Sequence, residues 1–406
     1  MNRIQDQRSF AVPFFCVTAL YYGGYCLFGG FMVLYLSENG YSAFFCGIVT
    51  SLTCLINLLV QPLAGYLTDT IITVKRYLIV ASAAIAALSA FASQSVKSPA
   101  LCVLTISMLA VFEMPYTFLL DAWISIAHEQ DPRLVYGQIR AGGSIGFGLV
   151  AILFGWYSSC HGFDSFFPIQ SAVFVLLTVG LMSLPETPLR NRKISVVCEK
   201  DAKKLTLPQS LCLVWKNRRY RTLTVLFFFY WLSHRPVGSY LSLIVQSRGG
   251  DAGIFGMVSG LGAIVEAGVL FAIAAAAKKL SLKKMLLAML LITLVRPAVL
   301  LMTDHVAALF VVQFIQSASF AFYYSASVQG YYELSDLKIR AFSMTFGLAV
   351  TSVLGTMAAN LTGGWLCDKF GTNAAIWMSM LCTTANLVYF LCNRKDFIRE
   401  ETEASI

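Results

Sequence analysis

Charge is what this sequence has least of. Asp, Glu, Lys and Arg make up 13% of its 406 residues, whereas soluble domains carry about a quarter. A soluble surface cannot be built from so little, so water is not the chain's main solvent. Paired cysteines are missing too. The eleven cysteines stand singly, at Cys16, Cys26, Cys46, Cys54 and onward, with no CxxC pair and no histidine cluster. That pattern indicates neither a disulfide framework nor a zinc site. There is no HExxH pair, no Walker lysine and no clustered catalytic constellation, so nothing points to an enzyme, and no cofactor or metal is expected.

What the chain has instead is apolar length. Hydrophobic residues account for 57% of it and the mean hydropathy is +0.70. Continuous apolar runs of about 20 residues recur throughout, each long enough to cross a bilayer as a helix. Membrane barrels read instead as alternating stretches of about ten residues. Spans are expected near 11 to 36, 42 to 68, 76 to 95, 99 to 124, 136 to 159 and 165 to 184. A second six lie near 221 to 247, 253 to 277, 283 to 302, 306 to 332, 341 to 366 and 373 to 393. Arg3 and Arg8 precede the first segment, which is too long for a signal-peptide core and reads as a retained span.

Lysine and arginine favour the cytoplasmic side. With both termini inside, 24 of the 30 fall in inner segments, three in outer loops (Lys97, Arg248, Lys369) and three within spans (Arg140, Arg235, Arg296). The net charge of +9 is then mostly topology, and the basic stretch from Lys216 to Arg221 reads as an inner flank rather than a nucleic-acid patch.

The two sixes resemble each other. Gly47-Ile48-Val49-Thr50-Ser51-Leu52 aligns with Gly256-Met257-Val258-Ser259-Gly260-Leu261 at an offset of 209, which also pairs Gly40 with Gly249. Spans 5 and 11 open with Ile139-Arg140-Ala141 and Ile339-Arg340-Ala341. They end in Gly155-Trp156 and Gly364-Trp365, with Gly162 and Gly371 following at equal spacing. Such duplication is the mark of parallel-repeat transporters. The expected organisation is an N-terminal six-helix bundle (1–184), a cytoplasmic linker (185–219) and a C-terminal bundle with its tail (220–406). A solute would be held between two bundles that open alternately to either side.

Over nearly its whole length the chain resembles the major facilitator superfamily, and within it the lactose-permease-like branch of proton symporters. The most specific stretch is Tyr136-Gly137-Gln138-Ile139-Arg140-Ala141-Gly142-Gly143-Ser144-Ile145-Gly146-Phe147, preceded by Leu120-Asp121-Ala122. Gly363-Gly364-Trp365-Leu366-Cys367-Asp368-Lys369-Phe370-Gly371 is similarly family-like, while the loop after span 2 keeps only Gly65, Leu67, Asp69 and Lys75-Arg76 of the superfamily signature. The resemblance implies an all-α fold of twelve helices in two bundles related by pseudo-twofold symmetry. Three departures stand out. Phe147 replaces a sugar-stacking tryptophan, Gln316 and Tyr324 replace histidines, and Ser319 stands where lactose permease has its proton-carrying glutamate.

Ionisable groups at membrane depth are costly, which makes each a candidate for function. Asp121 and Arg140 lie at similar depth, and the resemblance makes them a substrate-orienting pair. A static salt bridge is the bland alternative. Glu113, eight residues before Asp121 and just ahead of Pro115, is either a cavity residue or a buried carboxyl bonded to freed backbone. Phe147, Trp123, Tyr25 and Tyr324 are expected to face the solute, and Tyr21, Tyr22 and Tyr323 likewise offer rings and hydroxyls to it. Glu266 is the sole acid in mid span 8, with Asn57 as its repeat partner, and is expected to carry a coupled proton. Arg296 matches the family's coupling arginine, with Arg235 a rival. His234, in the His234-Arg235-Pro236 interruption of span 7, is a second protonation candidate.

The expected activity is proton-coupled import of a sugar, glycoside or nucleoside. The alternatives are an exporter of drugs or metabolites and an importer of aromatic or other organic acids. The expected partners are a small solute, protons and membrane lipids, with the chain monomeric, in the plasma membrane, and no nucleic acid involved.

Overall fold

A computed structural model describes residues 11–130, 134–184, 207–277, 280–335 and 339–397. Among them, every regular element is helical. The first expected span is α1 (Ala11–Tyr25), a π-helical turn (Cys26–Phe31) and α2 (Met32–Glu38). Then come α3 (Ala43–Thr70), α4 (Val74–Ser95), α5 (Pro99–Glu113), α6 (Tyr116–Gln130), α7 (Tyr136–His161) and α8 (Phe166–Ser183). A short helix α9 (Leu207–Lys216) leads into α10 (Arg218–Ser239) and α11 (Leu241–Ser247). The remainder is α12 (Ala252–Ala277), α13 (Leu282–Met302), α14 (Ala307–Leu334), α15 (Arg340–Phe370) and α16 (Thr372–Cys392). Of the expected linker, residues 185 to 206 lie outside the described residues, and α9 occupies most of the rest.

Eleven of the described helical segments are long and apolar enough to cross a membrane. The twelfth expected span, α10 with α11, is not among them: it breaks at Tyr240 and carries Arg218, Arg219, Arg221, His234 and Arg235. Two expected spans are broken. The fourth stops at Glu113 and restarts at Tyr116, because Pro115 cannot donate an amide to the ladder. The seventh runs through Pro236 unbroken and breaks at Tyr240, whose amide bonds back to the Pro236 carbonyl at 3.2 Å. The interruption expected at residues 234 to 236 is thus displaced towards the C-terminal end.

Contacts divide the chain into two units, residues 1–191 with 249–267, and residues 192–248 with 268–406. In the first unit, α1 packs against α7 where side chains are missing. A Cβ on Gly146 would stand 2.0 Å from the Ala19 carbonyl oxygen, and one on Gly142 2.9 Å from that of Phe15. The Gly142-x-x-x-Gly146 spacing is therefore close helix packing. The same five residues spell the letters of a nucleophile elbow, but they lie inside α7 and not at a strand-to-helix turn. The start of α12 joins this unit in the same way, with a Cβ on Gly256 falling 2.2 Å from the Ala151 carbonyl oxygen.

In the second unit a core forms around Tyr220, Phe227, Tyr230, Tyr323 and Tyr331 on α10 and α14. The repeat is visible in the backbone of both units. Among the described residues, positive φ occurs only at Gly40, Gly162, Gly249 and Gly371 (83°, 75°, 76° and 80°), two pairs separated by the sequence offset of 209. Left-handed corners of this kind favour glycine because it has no Cβ to clash. The arginines opening spans 5 and 11 also behave alike: Arg140 lies 4.2 Å over the Tyr22 ring and Arg340 4.2 Å over that of Tyr332.

Gly146→Ala is expected to destabilise the protein by about 1–3 kcal/mol, because two helix backbones must separate. Gly65→Ala, where nothing lies within 4 Å, should cost nothing. Melting temperatures in detergent check both.

Candidate functional site

The first unit brings together most of the polar residues singled out from the sequence. Arg140 opens α7 and Asp121 lies on α6, and Arg140 Nε stands 3.8 Å from Asp121 Oδ1, with the two side chains 34% and 29% exposed. A contact that long, made through Nε, leaves the terminal guanidinium nitrogens for other acceptors. Two neighbours hold the pair. Tyr22 lies under the guanidinium, a cation–π contact, and the Tyr136 hydroxyl bonds Asp121. Gly143 makes the room, since a Cβ there would meet Tyr22 at 2.6 Å and Arg140 Nη1 at 2.8 Å. Tyr136 and Gly143 belong to the family-like stretch of the sequence, but being uncharged neither is marked there as a site residue. Tyr136 lies one helical turn before Arg140, a spacing that puts two side chains on one face.

Glu113 is placed differently from Asp121. Because the helix stops at Met114, the two-turn alignment expected between them does not pass through a continuous helix. Glu113 is 0% exposed, and neither carboxyl oxygen has a hydrogen-bond partner. It is therefore not bonded to backbone freed by Pro115. Tyr21 and Tyr116, stacked at 4.3 Å between ring centroids, lie within electrostatic reach of it. Their hydroxyls are spent elsewhere, Tyr21 on Thr117 at 2.6 Å and Tyr116 on Ser82 at 2.8 Å.

The aromatic candidates separate. Trp123 is fully enclosed, edge-on to Phe14 at 5.0 Å. Tyr25 joins the Tyr21 and Tyr22 cluster, and Phe147 is half-buried with its ring tip towards Gly30. Asn57 has a buried side-chain oxygen without a partner. Glu266, its repeat counterpart, is half-buried on α12.

In the second unit Arg296 is 2% exposed, and its Nη1 donates to the His234 carbonyl oxygen at 3.1 Å. Arg235 lies 4.9 Å over the Trp231 ring and His234 stacks on Tyr230 at 5.1 Å. Tyr323 is buried, taking a hydrogen bond from Trp231 Nε1 at 2.8 Å, while Tyr324 beside it is exposed. Ser319 is paired with Thr293 at 2.5 Å, so hydroxyls fill the place of the glutamate that the resemblance calls for.

Residues 14–378 match the model of the MFS_1 like family, and the chain belongs to that family. It is a multi-pass membrane transporter and not an enzyme. The maltose permease of Geobacillus stearothermophilus is 23% identical over 357 residues, covering 88% of this chain and 86% of the permease. The uncharacterized transporter YwbF of Bacillus subtilis (strain 168) is 21% identical over 326 residues, covering 79% and 77%. Among solved structures, the nucleoside transporter NupG superposes with a TM-score of 0.78 at 15% identity, covering 97% of this chain and all of that one. A bacterial homologue of the human lysosomal transporter Spinster, inward-facing and unoccupied, gives 0.67 at 13% identity, over 97% and 96% of the two chains. Identities this low speak for the fold alone.

Because no partner holds the Glu113 carboxyl, Glu113→Gln is expected to leave the melting temperature unchanged or raise it. A fall of several degrees would reveal a charge pair. Gly143→Ala should disturb the Arg140 and Asp121 pair without unfolding the protein.

Proposed function

We propose that the chain is a proton-coupled symporter that imports a small polar organic solute, a sugar, glycoside or nucleoside, by alternating access. The observation that carries this reading is the half-exposed Asp121 and Arg140 pair on its Tyr22 and Tyr136 supports. A guanidinium with free terminal nitrogens donates to hydroxyl oxygens, and the neighbouring carboxylate accepts hydroxyl protons. The names of the relatives, a maltose permease and a nucleoside transporter, support the substrate class. Half-buried Phe147 and Tyr25 supply apolar walls to the solute path, while Glu113 and Trp123, both sealed in this structure, reach the solute only in another state of the transport cycle.

Glu266 carries the proton. It is the one acid in the middle of α12, and a carboxyl that moves between apolar and polar surroundings loads and releases a proton as the chain changes state. The protein works as a monomer in the plasma membrane with both termini in the cytoplasm, in keeping with the lysine and arginine count.

The test is uptake in proteoliposomes under an imposed pH gradient. Solute should accumulate, and Glu266→Gln should abolish accumulation while leaving solute exchange across the membrane in place. Accumulation unchanged by Glu266→Gln would sink the coupling assignment. Asp121→Asn and Arg140→Gln should each reduce uptake tenfold or more in both assays, because each removes half of the solute's hydrogen-bonding pair.

A further inference from the structure

Among the described residues of the second unit, two arginines have no carboxylate at their depth. Arg296 on α13 is 2% exposed and Arg235 lies on α10, within electrostatic reach of each other. Arg296 spends one nitrogen on the His234 carbonyl. Its Nε and Nη2, the Nε of Arg235 and the Nδ1 of His234 are buried without hydrogen-bond partners. Each arginine is followed by proline, Pro236 or Pro297.

Among the described residues of this unit, no acid stands at their depth. Helices α10, α11, α13 and α16 contain no Asp or Glu, and those of α14 and α15 are Glu333 and Asp368, near the helix ends. Asp304 lies in a loop, where it attracts Arg248. The Thr293 to Ser319 contact sets α14 against α13, and Glu333 is 14 residues beyond Ser319, or roughly 21 Å along a helix. The nearby hydroxyls of Thr293, Ser319, Tyr230 and Tyr323, which bond among themselves and to Trp231, are neutral and cannot balance the charge of a guanidinium.

A sealed arginine beside a second, half-buried one, with hydrogen bonds unmade on both, is unfavourable, and a fold keeps such a pair where an anion neutralises it. The planar guanidinium fork matches the oxygens of a carboxylate or phosphate. We infer that Arg296 and Arg235 form a binding site for an oxyanion, and that the transported solute is a sugar derivative or glycoside that carries one. The second half of that inference rests on the transport reading and names the charge of its solute. The first half is tested without transport, so the two can fail separately.

The experiment uses the full chain purified in detergent. Its melting temperature is followed with sodium acetate or sodium phosphate, against sodium chloride at equal ionic strength. The oxyanion is expected to add several degrees, through occupancy of the folded state, and the stronger of the two salts identifies the headgroup. Arg296→Gln should melt no lower than the parent without oxyanion, because an unpaired buried charge has gone, and should lose the oxyanion-dependent rise. Arg235→Gln, whose side chain is not the one sealed in the core, should weaken the oxyanion's apparent affinity tenfold or more. No gain over chloride, a gain that survives in both variants, or a fall of several degrees in Arg296→Gln without oxyanion would overturn the site. For the solute, glucuronate should bind at least tenfold more tightly than glucose. Equal binding of the two would overturn the solute assignment.

Discussion

A peptide group in hydrocarbon has no water to bond, so each amide and carbonyl must find its partner within the chain. Everything else in this molecule follows from that constraint. It makes every regular element among the described residues helical, and it confines turns to short corners, four of which need glycine with positive φ. It also makes close backbone approach the cheapest way to join helices, since the lipid offers no hydrophobic reward for contact between large side chains. The glycines of α7 facing α1 and α12 are the result. The same shortage of water makes every buried charge conspicuous.

The architecture was legible in the sequence because its signals are long and redundant. Twenty apolar residues in a row admit few readings, and the offset of 209 that pairs Gly40 with Gly249 recurs in backbone conformation as well as in letters. What the sequence did not show was where helices yield. Pro115 breaks its span and Pro236 does not, since a proline's cost depends on whether neighbours satisfy the freed carbonyl. The π turn from Cys26 to Phe31 left no trace in the hydropathy, which averages over the one residue that such a turn inserts.

The candidate site was legible in its charges and not in its supports. Asp121, Arg140, Glu113 and Arg296 stood out because ionisable residues are rare in spans. Tyr136 and Gly143 did not, for tyrosines and glycines occur throughout such helices and only the fold says which ones touch a guanidinium. The surroundings of Arg296 were equally hidden. Inside the expected spans three arginines stand against three acids, Glu113, Asp121 and Glu266, whereas among the described residues of the second unit taken by itself arginines lie in mid-span and acids only near helix ends or in loops.

The π turn in the first span has one further consequence. One extra residue rotates everything beyond it by about a quarter turn or more relative to a regular helix. The Tyr21, Tyr22 and Tyr25 cluster precedes the turn, while Phe31 closes it and Tyr35 follows it, these two meeting Phe154 and Phe166 of the first unit. The first span is therefore two helical faces spliced out of phase. A drift of sequence on either side of the splice can retune the lower tyrosines while the upper packing stays as it is, which gives this segment two separately adjustable halves within a single crossing of the membrane.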